Sequence, residues 1–363
     1  MPSLKIYNIF PFEPVKGEGV TLIDRNGKKY IDLVSGLGVN LLGYNDKYIK
    51  KILSHTPSII HLSNLYYSSL REEVADMLGN LTDLDYVFFT NSGTEANEAG
   101  LKFAWKSKKG KFIALTDSFH GRTLGSYSLS HLFSHQDFPR IKADIKFIDT
   151  ENYGDLKREG KDAAIIMFEP IQGAGGVKPL TREAAEIMSD LQKSGVILFA
   201  DEVQSGLGRT GKFLACEHYN LKPDIVTLAK GLGGGLPLGA VIMKKNIAEK
   251  VSIGDHGSTM GGNMLSLRLA KEVLRRLNSG LIEYVQKLGE YIDNKYKDKF
   301  KIRGKGLFRG FDINNADTVQ VKMINRGFLI NILRKKTIRL LPPLIITKET
   351  IDSFFENIED IIE

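Results

Sequence analysis

Between about residues 85 and 245, short apolar runs alternate with stretches of helical periodicity. Apolar or nearly apolar runs of four residues predict buried strands at 86–89, 112–115, 165–168, 196–199, 225–228 and 240–243. Between the third and fourth runs an amphipathic helix is predicted, because apolar side chains recur at helical spacing at Ala184, Ile187, Met188 and Leu191. Gly195 ends this helix. Strands that alternate with helices build a mostly parallel sheet covered on both faces, so this region predicts an α/β domain.

The two ends of the chain have a different pattern. The first 38 residues are rich in β-forming residues and turns, and from about residue 265 onward helical patterns surround a short β segment near 303–313. No repeat, low-complexity tract or Pro/Ser-rich linker divides the sequence. We therefore expect residues 1–38 and 263–363 to form one smaller α+β domain beside a large domain of residues 39–262.

The composition is that of an ordinary soluble protein. Of the 363 residues, 42% are hydrophobic and 26% are charged, and no apolar run approaches the roughly 20 residues of a membrane span. The N-terminus lacks the apolar run and cleavage site of a secretory signal. Cys216 is the only cysteine, which excludes an intrachain disulfide and is typical of a reducing compartment. We predict a cytoplasmic protein without a membrane partner.

The net charge of +7 raises the possibility of nucleic-acid binding. The basic residues are, however, scattered among 43 acidic ones, and the densest runs, 106–109 and 295–299, have the pattern of solvated helix ends. We therefore predict no nucleic-acid partner. A basic surface would instead favour the approach of small anionic substrates.

Polar clusters follow four of the predicted strands, where ligands of open α/β sheets bind. After the first strand, Ser92 and Glu95 have the spacing of a capping box, so a helix should begin there with free N–H groups that suit a phosphate. A plain helix cap explains the same residues. After the second strand, Phe119, Gly121 and Arg122 offer an aromatic face, close approach and a cation for a carboxylate. A polar surface turn is the alternative there.

The other two clusters each centre on one ionisable residue. Asp201 ends an apolar strand, and its carboxylate would be costly to bury unless it met a cation such as a protonated pyridine nitrogen. A helix N-cap or a metal-binding acid remains open for this motif alone. Lys230 follows a strand and is surrounded by glycines, and a buried lysine that loses its proton can form a Schiff base. Most lysines are solvated surface residues, so Lys230 by itself is weak support for a Schiff-base site.

In their order and spacing, the four segments together resemble those of the class III aminotransferases. These enzymes have fold type I of the pyridoxal-phosphate (PLP) dependent enzymes, and the chain is most similar to the acetylornithine aminotransferase family. The resemblance runs from residues 16–19 and 35–40 to 338–344. It implies PLP as the cofactor, a large domain with a mostly parallel sheet between helices, and a homodimer with shared active sites.

The reaction implied by this resemblance is transamination. An ω-amino donor, N2-acetyl-L-ornithine, would give its nitrogen to 2-oxoglutarate, leaving the semialdehyde and L-glutamate, as in arginine biosynthesis. Relatives with the same machinery leave carrier-linked lysine or ornithine, free ornithine and 4-aminobutyrate open as donors, and an aminomutase open as the activity. A catalytically silent PLP fold or a basic binding protein is the alternative outside this enzyme class.

The resemblance also implies roles for matching residues. Lys230 would bind PLP as a Schiff base and carry the proton, Asp201 would hold the pyridine nitrogen, and Gln204 would bind the ring hydroxyl oxygen. Phe119 and Val203 would flank the ring, and Thr259 of a neighbouring subunit would assist Gly93 and Thr94 at the phosphate. The implied cofactor-binding set is Ser92, Gly93, Thr94, Phe119, His120, Asp201, Val203, Gln204, Lys230 and Thr259.

Three further residues would bind the substrates. Arg122 and Ser258 would hold the distal carboxylate of the amino donor, and Arg339 the α-carboxylate of glutamate or 2-oxoglutarate. In the family, a second glutamate after Glu169-Pro-Ile-Gln-Gly pairs with this last arginine, whereas Ala174 stands there in this chain. We therefore hypothesise that Arg339 lacks a partner, unless Glu13, a chloride ion or a water network neutralises it.

Two motifs point to other chemistry and are set aside. Residues 206–212 have P-loop spacing, but Phe213 stands where a serine or threonine would bind magnesium. His131 and His135 share one helical face, without a catalytic glutamate or a third metal ligand. We predict no metal site.

Overall fold

The computed structural model describes residues 4, 6, 7, 9–55, 57–133 and 137–362. The strands are β1 Pro14–Glu18, β2 Thr21–Asp24, β3 Lys29–Asp32, β4 Tyr86–Thr90, β5 Lys111–Leu115, β6 Ile145–Ile148, β7 Ala163–Phe168, β8 Ile171–Gln172, β9 Lys178–Pro179, β10 Ile197–Asp201, β11 Ile225–Leu228, β12 Gly239–Met243, β13 Arg303–Lys305, β14 Phe308–Asp312, β15 Phe328–Leu329, β16 Asn331–Leu333 and β17 Thr337–Leu340. Apart from an irregular turn at Ser35–Gly38 and shorter helical turns, the helices are α1 Lys47–Ser54, α2 Ser69–Thr82, α3 Gly93–Ser107, α4 Leu124–Ser128, α5 Tyr153–Gly160, α6 Arg182–Lys193, α7 Lys245–Ala248, α8 Met264–Arg276, α9 Ile282–Phe300, α10 Ala316–Asn325 and α11 Lys348–Ile362.

A seven-stranded sheet forms the centre of the fold, with strand order β4-β12-β11-β10-β7-β5-β6. Its strands run parallel except β12, which is antiparallel to both neighbours. All six strands predicted from apolar runs lie in this sheet, and the predicted mostly parallel α/β architecture is confirmed. The seventh strand, β6, was not predicted, because the exposed Lys146 interrupts its short apolar run at the edge of the sheet.

Helix packing against this sheet is close enough to restrict side-chain size. Helix α3 begins at the predicted position and lies against β10: a Cβ atom on Gly100 would come within 2.5 Å of the Phe199 ring. Phe168 and Phe199 are fully buried in the sheet. The helix predicted from its apolar spacing is α6, which buries Ala184, Met188 and Leu191. The core therefore holds the strand ends in fixed positions.

Two smaller sheets are built from the ends of the chain. The first has the order β1-β2-β3-β15, so the N-terminal strands share a sheet with a strand about 300 residues later in the sequence, and β15 runs parallel to β3. The second has the order β13-β14-β17-β16. The division into two domains at residues 38 and 262 stays a prediction. We propose it because β15 pairs with β3 and so joins the two ends of the chain in one sheet.

Within the described ranges, no helix has both the length and the apolar character needed to cross a membrane.

Candidate active site

A cavity of about 490 Å³ lies at the carboxyl ends of β4, β5, β7, β10 and β11, and Leu37 and Arg339, from β17, also line it. Of the residues predicted for the site, it brings together Gly93, Thr94, Phe119, His120, Arg122, Asp201, Val203, Gln204, Lys230 and Arg339. Over the ranges that the structure describes, Ser92, Ser258 and Thr259 are not in the lining. Ser92 directly precedes it as the cap of α3, and the Ser258 hydroxyl accepts a hydrogen bond from Asn91 at 3.2 Å.

The amino end of α3 forms one wall of the cavity. The Ser92 hydroxyl accepts a hydrogen bond from the Glu95 backbone N–H at 3.3 Å. The Glu95 carboxylate accepts from the Asn91 N–H at 2.8 Å rather than from Ser92, so only half of the predicted capping box forms. At Gly93 a Cβ would lie 2.6 Å from Val203, which makes glycine necessary there. This helix end, with its partial positive charge, suits an anion.

Asp201 lies at the back of the cavity and is 5% exposed. Its Oδ2 accepts hydrogen bonds at 2.8 Å from Asn97 Nδ2 and from His120 Nδ1, and its Oδ1 accepts from the Val203 N–H at 3.1 Å. Asn97, which the sequence analysis missed, itself accepts a hydrogen bond from the Thr227 hydroxyl at 2.7 Å. Three donors therefore compensate the burial of this carboxylate. The Nε2 atom of His120 is buried and has no partner within the described residues.

Lys230 begins a short helical turn just after β11, with a left-handed backbone (φ 48°). Burial lowers the pKa of its amine to about 8, an effect that Arg339 reinforces and Asp201 opposes. An ordinary lysine has a pKa of about 10.4. The side chain therefore has a substantial neutral fraction near physiological pH, as a nucleophilic or proton-accepting amine needs.

Glu169 is a second acidic residue of the cavity, to which the sequence analysis gave no role. Its Oε1 accepts a hydrogen bond from the Phe119 N–H at 2.9 Å and its Oε2 accepts from the Gly173 N–H at 3.1 Å. Burial raises its pKa to about 7, with His120 acting in the opposite direction. The carboxyl group ties the backbone at Phe119 to the segment that follows β7. Its position directly after a buried strand was the available signal in the sequence.

The two predicted substrate arginines lie in different environments. Arg122 is exposed, whereas Arg339 is 6% exposed and burial lowers its pKa to about 10. The Nε and Nη2 atoms of Arg339 donate to Asn331 Oδ1 at 3.1 and 2.8 Å, and its Nη1 donates to Gln204 Oε1 at 3.1 Å.

Arg339 therefore has hydrogen-bond partners, which are two neutral amides, and the hypothesis that its charge is not neutralised stays a prediction. Ala174 lines the same cavity and offers no acid. Over the described ranges, no carboxylate hydrogen-bonds to this guanidinium. Glu13, the acid considered from the sequence, instead binds Arg25 at 2.5 and 2.8 Å on the surface.

The structure describes only one of the two histidines that were considered as metal ligands. His131 Nδ1 accepts a hydrogen bond from the Asp117 N–H at 3.0 Å, and its ring packs on Phe147. His135 lies outside the described residues. The part of the chain that the structure describes contains no group of three or more His, Cys, Asp or Glu arranged for a metal ion.

The chemistry of this donor set fits PLP. A lysine amine of lowered pKa, a buried carboxylate able to face a pyridinium, and a helix end able to receive a phosphate all border one cavity. Phe119 and Val203 supply apolar surface beside them. Together with the mostly parallel sheet, these groups define a PLP-dependent enzyme of fold type I.

Comparison with known proteins gives the family. The model of the family "Aminotransferase class-III" matches residues 5–362, and the chain belongs to that family. It is 38% identical to the acetylornithine aminotransferase of Archaeoglobus fulgidus over 94% of this chain and 93% of that protein. It is 39% identical to the acetylornithine aminotransferase of Methanocaldococcus jannaschii over 99% of this chain and 95% of that protein.

A solved structure of similar fold is the ornithine aminotransferase of Toxoplasma gondii ME49. It has a TM-score of 0.92 and 27% identity, covering 98% of this chain and 91% of that one. The chain is therefore a PLP-dependent aminotransferase, as its resemblance to the family had implied.

Covalent capture of PLP by the cofactor-free protein tests the assignment of Lys230. Because the neutral amine reacts and burial lowers its pKa to about 8, capture should rise with pH and level off just above pH 8. An exposed lysine would continue to gain reactivity towards about pH 10. Borohydride trapping followed by peptide mass spectrometry measures this profile. Lys230→Ala should lose the label and Lys222→Ala, at an exposed site, should keep it. A label on another lysine of the wild type would contradict the assignment.

Proposed function

We propose that the chain transfers the terminal amino group of N2-acetyl-L-ornithine to 2-oxoglutarate, giving the semialdehyde and L-glutamate. The observation that carries this proposal is one cavity lined by Lys230 and by two arginines, one exposed and one buried. Arg122 would receive the distal carboxylate of the donor, together with Ser258, and Arg339 the α-carboxylate of 2-oxoglutarate or glutamate. The names of the relatives that are 38–39% identical over nearly the whole chain support the same donor.

The amine of Lys230 would remove and return the proton at the reacting carbon. Its pKa of about 8 lies close to physiological pH, where an amine can both accept and release a proton. Bound PLP supplies an electron sink for the negative charge left when that proton departs. Asp201, held by Asn97 and His120, would keep the ring nitrogen protonated through its charge.

The remaining cofactor contacts follow from the lining of the cavity. Gly93 and Thr94, beside the cap residue Ser92, would hold the phosphate, and Phe119 and Val203 would flank the ring. The Gln204 amide would donate to the ring hydroxyl oxygen. Its Oε1 accepts from Arg339, which orients the amide nitrogen away from the arginine.

We also propose that the enzyme is a homodimer in which Thr259 completes the phosphate site of the neighbouring subunit. The loops at residues 57–68 and 249–263 expose large apolar side chains, which are Ile59, Ile60, Leu65, Tyr66, Tyr67, Ile253 and Met260. Asn64 joins the loops by donating to the carbonyls of Ser258 and Gly261 at 2.7 and 3.1 Å. Thr259 lies in the second loop and is exposed. Several exposed apolar side chains on two loops joined in this way are typical of a subunit interface.

We further propose that the enzyme acts in the cytoplasm. Cys216, the only cysteine, is buried, and burial raises the pKa of its thiol. A chain without a disulfide is suited to a reducing compartment.

A screen of amino donors tests the proposed reaction. With 2-oxoglutarate as acceptor, kcat/KM should be highest for acetylornithine among acetylornithine, ornithine, lysine and 4-aminobutyrate. Arg122→Ala should raise KM for acetylornithine by about tenfold or more while changing KM for glutamate less, because a charged hydrogen-bonding partner of the distal carboxylate is lost. Arg182→Ala, on the exposed face of α6, is the matched control. Faster turnover of another donor, or equal losses for both substrates in Arg122→Ala, would reject the assignment.

The role of Asp201 predicts a large effect of a nearly isosteric change. Asp201→Asn should lower kcat at least about a hundredfold, because an amide cannot hold the ring proton by charge. Asp224→Asn is a suitable control, because Asp224 is similarly buried at 8% exposure and is not a lining residue in the described structure. It should lower thermal stability without a comparable loss of turnover per folded molecule. Near-normal kcat in Asp201→Asn would overturn the role.

Mixed dimers test the shared site. Lys230→Ala and Thr259→Asp subunits, co-expressed with different tags, should each be nearly inactive as homodimers. The doubly purified heterodimer should recover about half of wild-type activity, because one of its two sites has both Lys230 and Thr259. A heterodimer no more active than its parents would exclude the contribution of Thr259 across the interface.

A further inference from the structure

The pairing of β16 with β17 places Asn331 next to the buried Arg339. In the antiparallel pair β16 and β17, Asn331 lies directly opposite Arg339. Their side chains meet, since Asn331 Oδ1 accepts both the Nε–H and an Nη2–H of the guanidinium, at 3.1 and 2.8 Å. Side chains directly opposite in such a ladder are close neighbours on one face of the sheet. Asn331 itself is not in the cavity lining that the structure describes.

Among the described residues, the hydrogen bonds of Arg339 use only part of its guanidinium. A guanidinium carries five N–H donors, and three of them bind the amide oxygens of Asn331 and Gln204. One donor remains on each of the two terminal nitrogens, Nη1 and Nη2. A carboxylate binds such a pair of nitrogens through two parallel hydrogen bonds.

The same contacts do not neutralise the positive charge, because over the described residues no carboxylate hydrogen-bonds to the guanidinium. Both acceptors are neutral amides, and Glu169, the carboxyl group that acts on Arg339 electrostatically, is engaged by the N–H groups of Phe119 and Gly173. Burial lowers the pKa of Arg339 only to about 10, so the guanidinium stays charged at physiological pH. A buried cation without an ionic partner is costly for the fold, and an incoming carboxylate relieves that cost.

We propose that Asn331 is a positioning residue for substrate: its amide oxygen orients Arg339 without neutralising it, so that glutamate or 2-oxoglutarate binds without first breaking an ion pair. This inference rests on the proposed function, in which Arg339 receives the α-carboxylate. The fixed orientation reduces the conformational freedom that Arg339 would lose on binding. A carboxylate at position 331 would have nearly the same shape but would compete with the substrate for the same cation.

Asn331→Asp tests the proposed positioning role of Asn331, because the substitution adds a negative charge while leaving the shape of the side chain nearly the same. In the holoenzyme, glutarate, a dicarboxylate without a reactive group, should bind about tenfold more weakly by calorimetry, because the guanidinium then has an ion pair to exchange. KM for 2-oxoglutarate should rise by a similar factor, while KM for the amino donor should stay the same or fall. Asn331→Ala should also weaken glutarate, because it removes the acceptor that orients the guanidinium.

Asn357→Asp is the matched control. The backbone carbonyl and the Oδ1 atom of Asn357 also accept hydrogen bonds from an arginine, Arg326, at 3.3 and 3.4 Å, on helix α11. The same change of charge there should leave glutarate binding and both KM values unaltered. Unchanged or tighter glutarate binding in Asn331→Asp, or equal losses for 2-oxoglutarate and the amino donor, would overturn the inference.

Arg339→Ala separates this inference from the proposed function. If that variant binds glutarate as the wild type does, the α-carboxylate does not meet Arg339, and the substrate assignment of this residue fails. If it loses glutarate binding while Asn331→Asp keeps it, the substrate assignment stands and only the role of Asn331 is rejected.

Discussion

The burial of one carboxylate at the end of β10 organises the active site. A buried carboxylate is costly for the fold without hydrogen-bond donors, and Asp201 obtains them from a helix, a loop and the backbone of the turn that follows it. Asn97 reaches it from α3, His120 from the segment after β5, and the Val203 N–H from the next turn. These contacts also fix the walls of the cavity, because α3 and the His120 segment cannot move independently of that carboxylate.

Burial disfavours the charged forms of three other groups that line the cavity, Glu169, Lys230 and Arg339. It raises the pKa of Glu169 to about 7 and lowers those of Lys230 to about 8 and of Arg339 to about 10. The effect on protonation at physiological pH differs, because the ordinary pKa values of the three groups differ. Lys230 and Glu169 come near the range in which protons are exchanged at physiological pH, whereas Arg339 remains a fixed cation. One apolar environment thus favours both groups that can exchange protons and a cation that stays charged.

The sequence predicted those parts of the molecule that depend on local pattern. Apolar runs predicted six strands of the central sheet, and cap spacing predicted the start of α3. The lining residues Lys230 and Asp201 were found because they follow such runs. Contacts made across the fold were not found. Asn97 lies within a helix and contacts Asp201 only because α3 packs on the sheet. Asn331 contacts Arg339 because of the register in which β16 pairs with β17, and the three residues of β16 are too few to predict that register from sequence.

Arg122 is exposed and Arg339 is buried, and this difference affects how strongly and how specifically each would bind a carboxylate. Water and salt screen a charge on the surface, so exposed Arg122 can attract a carboxylate while tolerating differences in the rest of the donor. Arg339 is buried and held by two amides, so its interaction is stronger and geometrically restricted. In the proposed reaction, a common acceptor such as 2-oxoglutarate would benefit from the restricted site. Different amino donors would be accommodated more easily at the exposed Arg122, because the hydrogen bonds that hold Asp201 come from Asn97, His120 and Val203 instead.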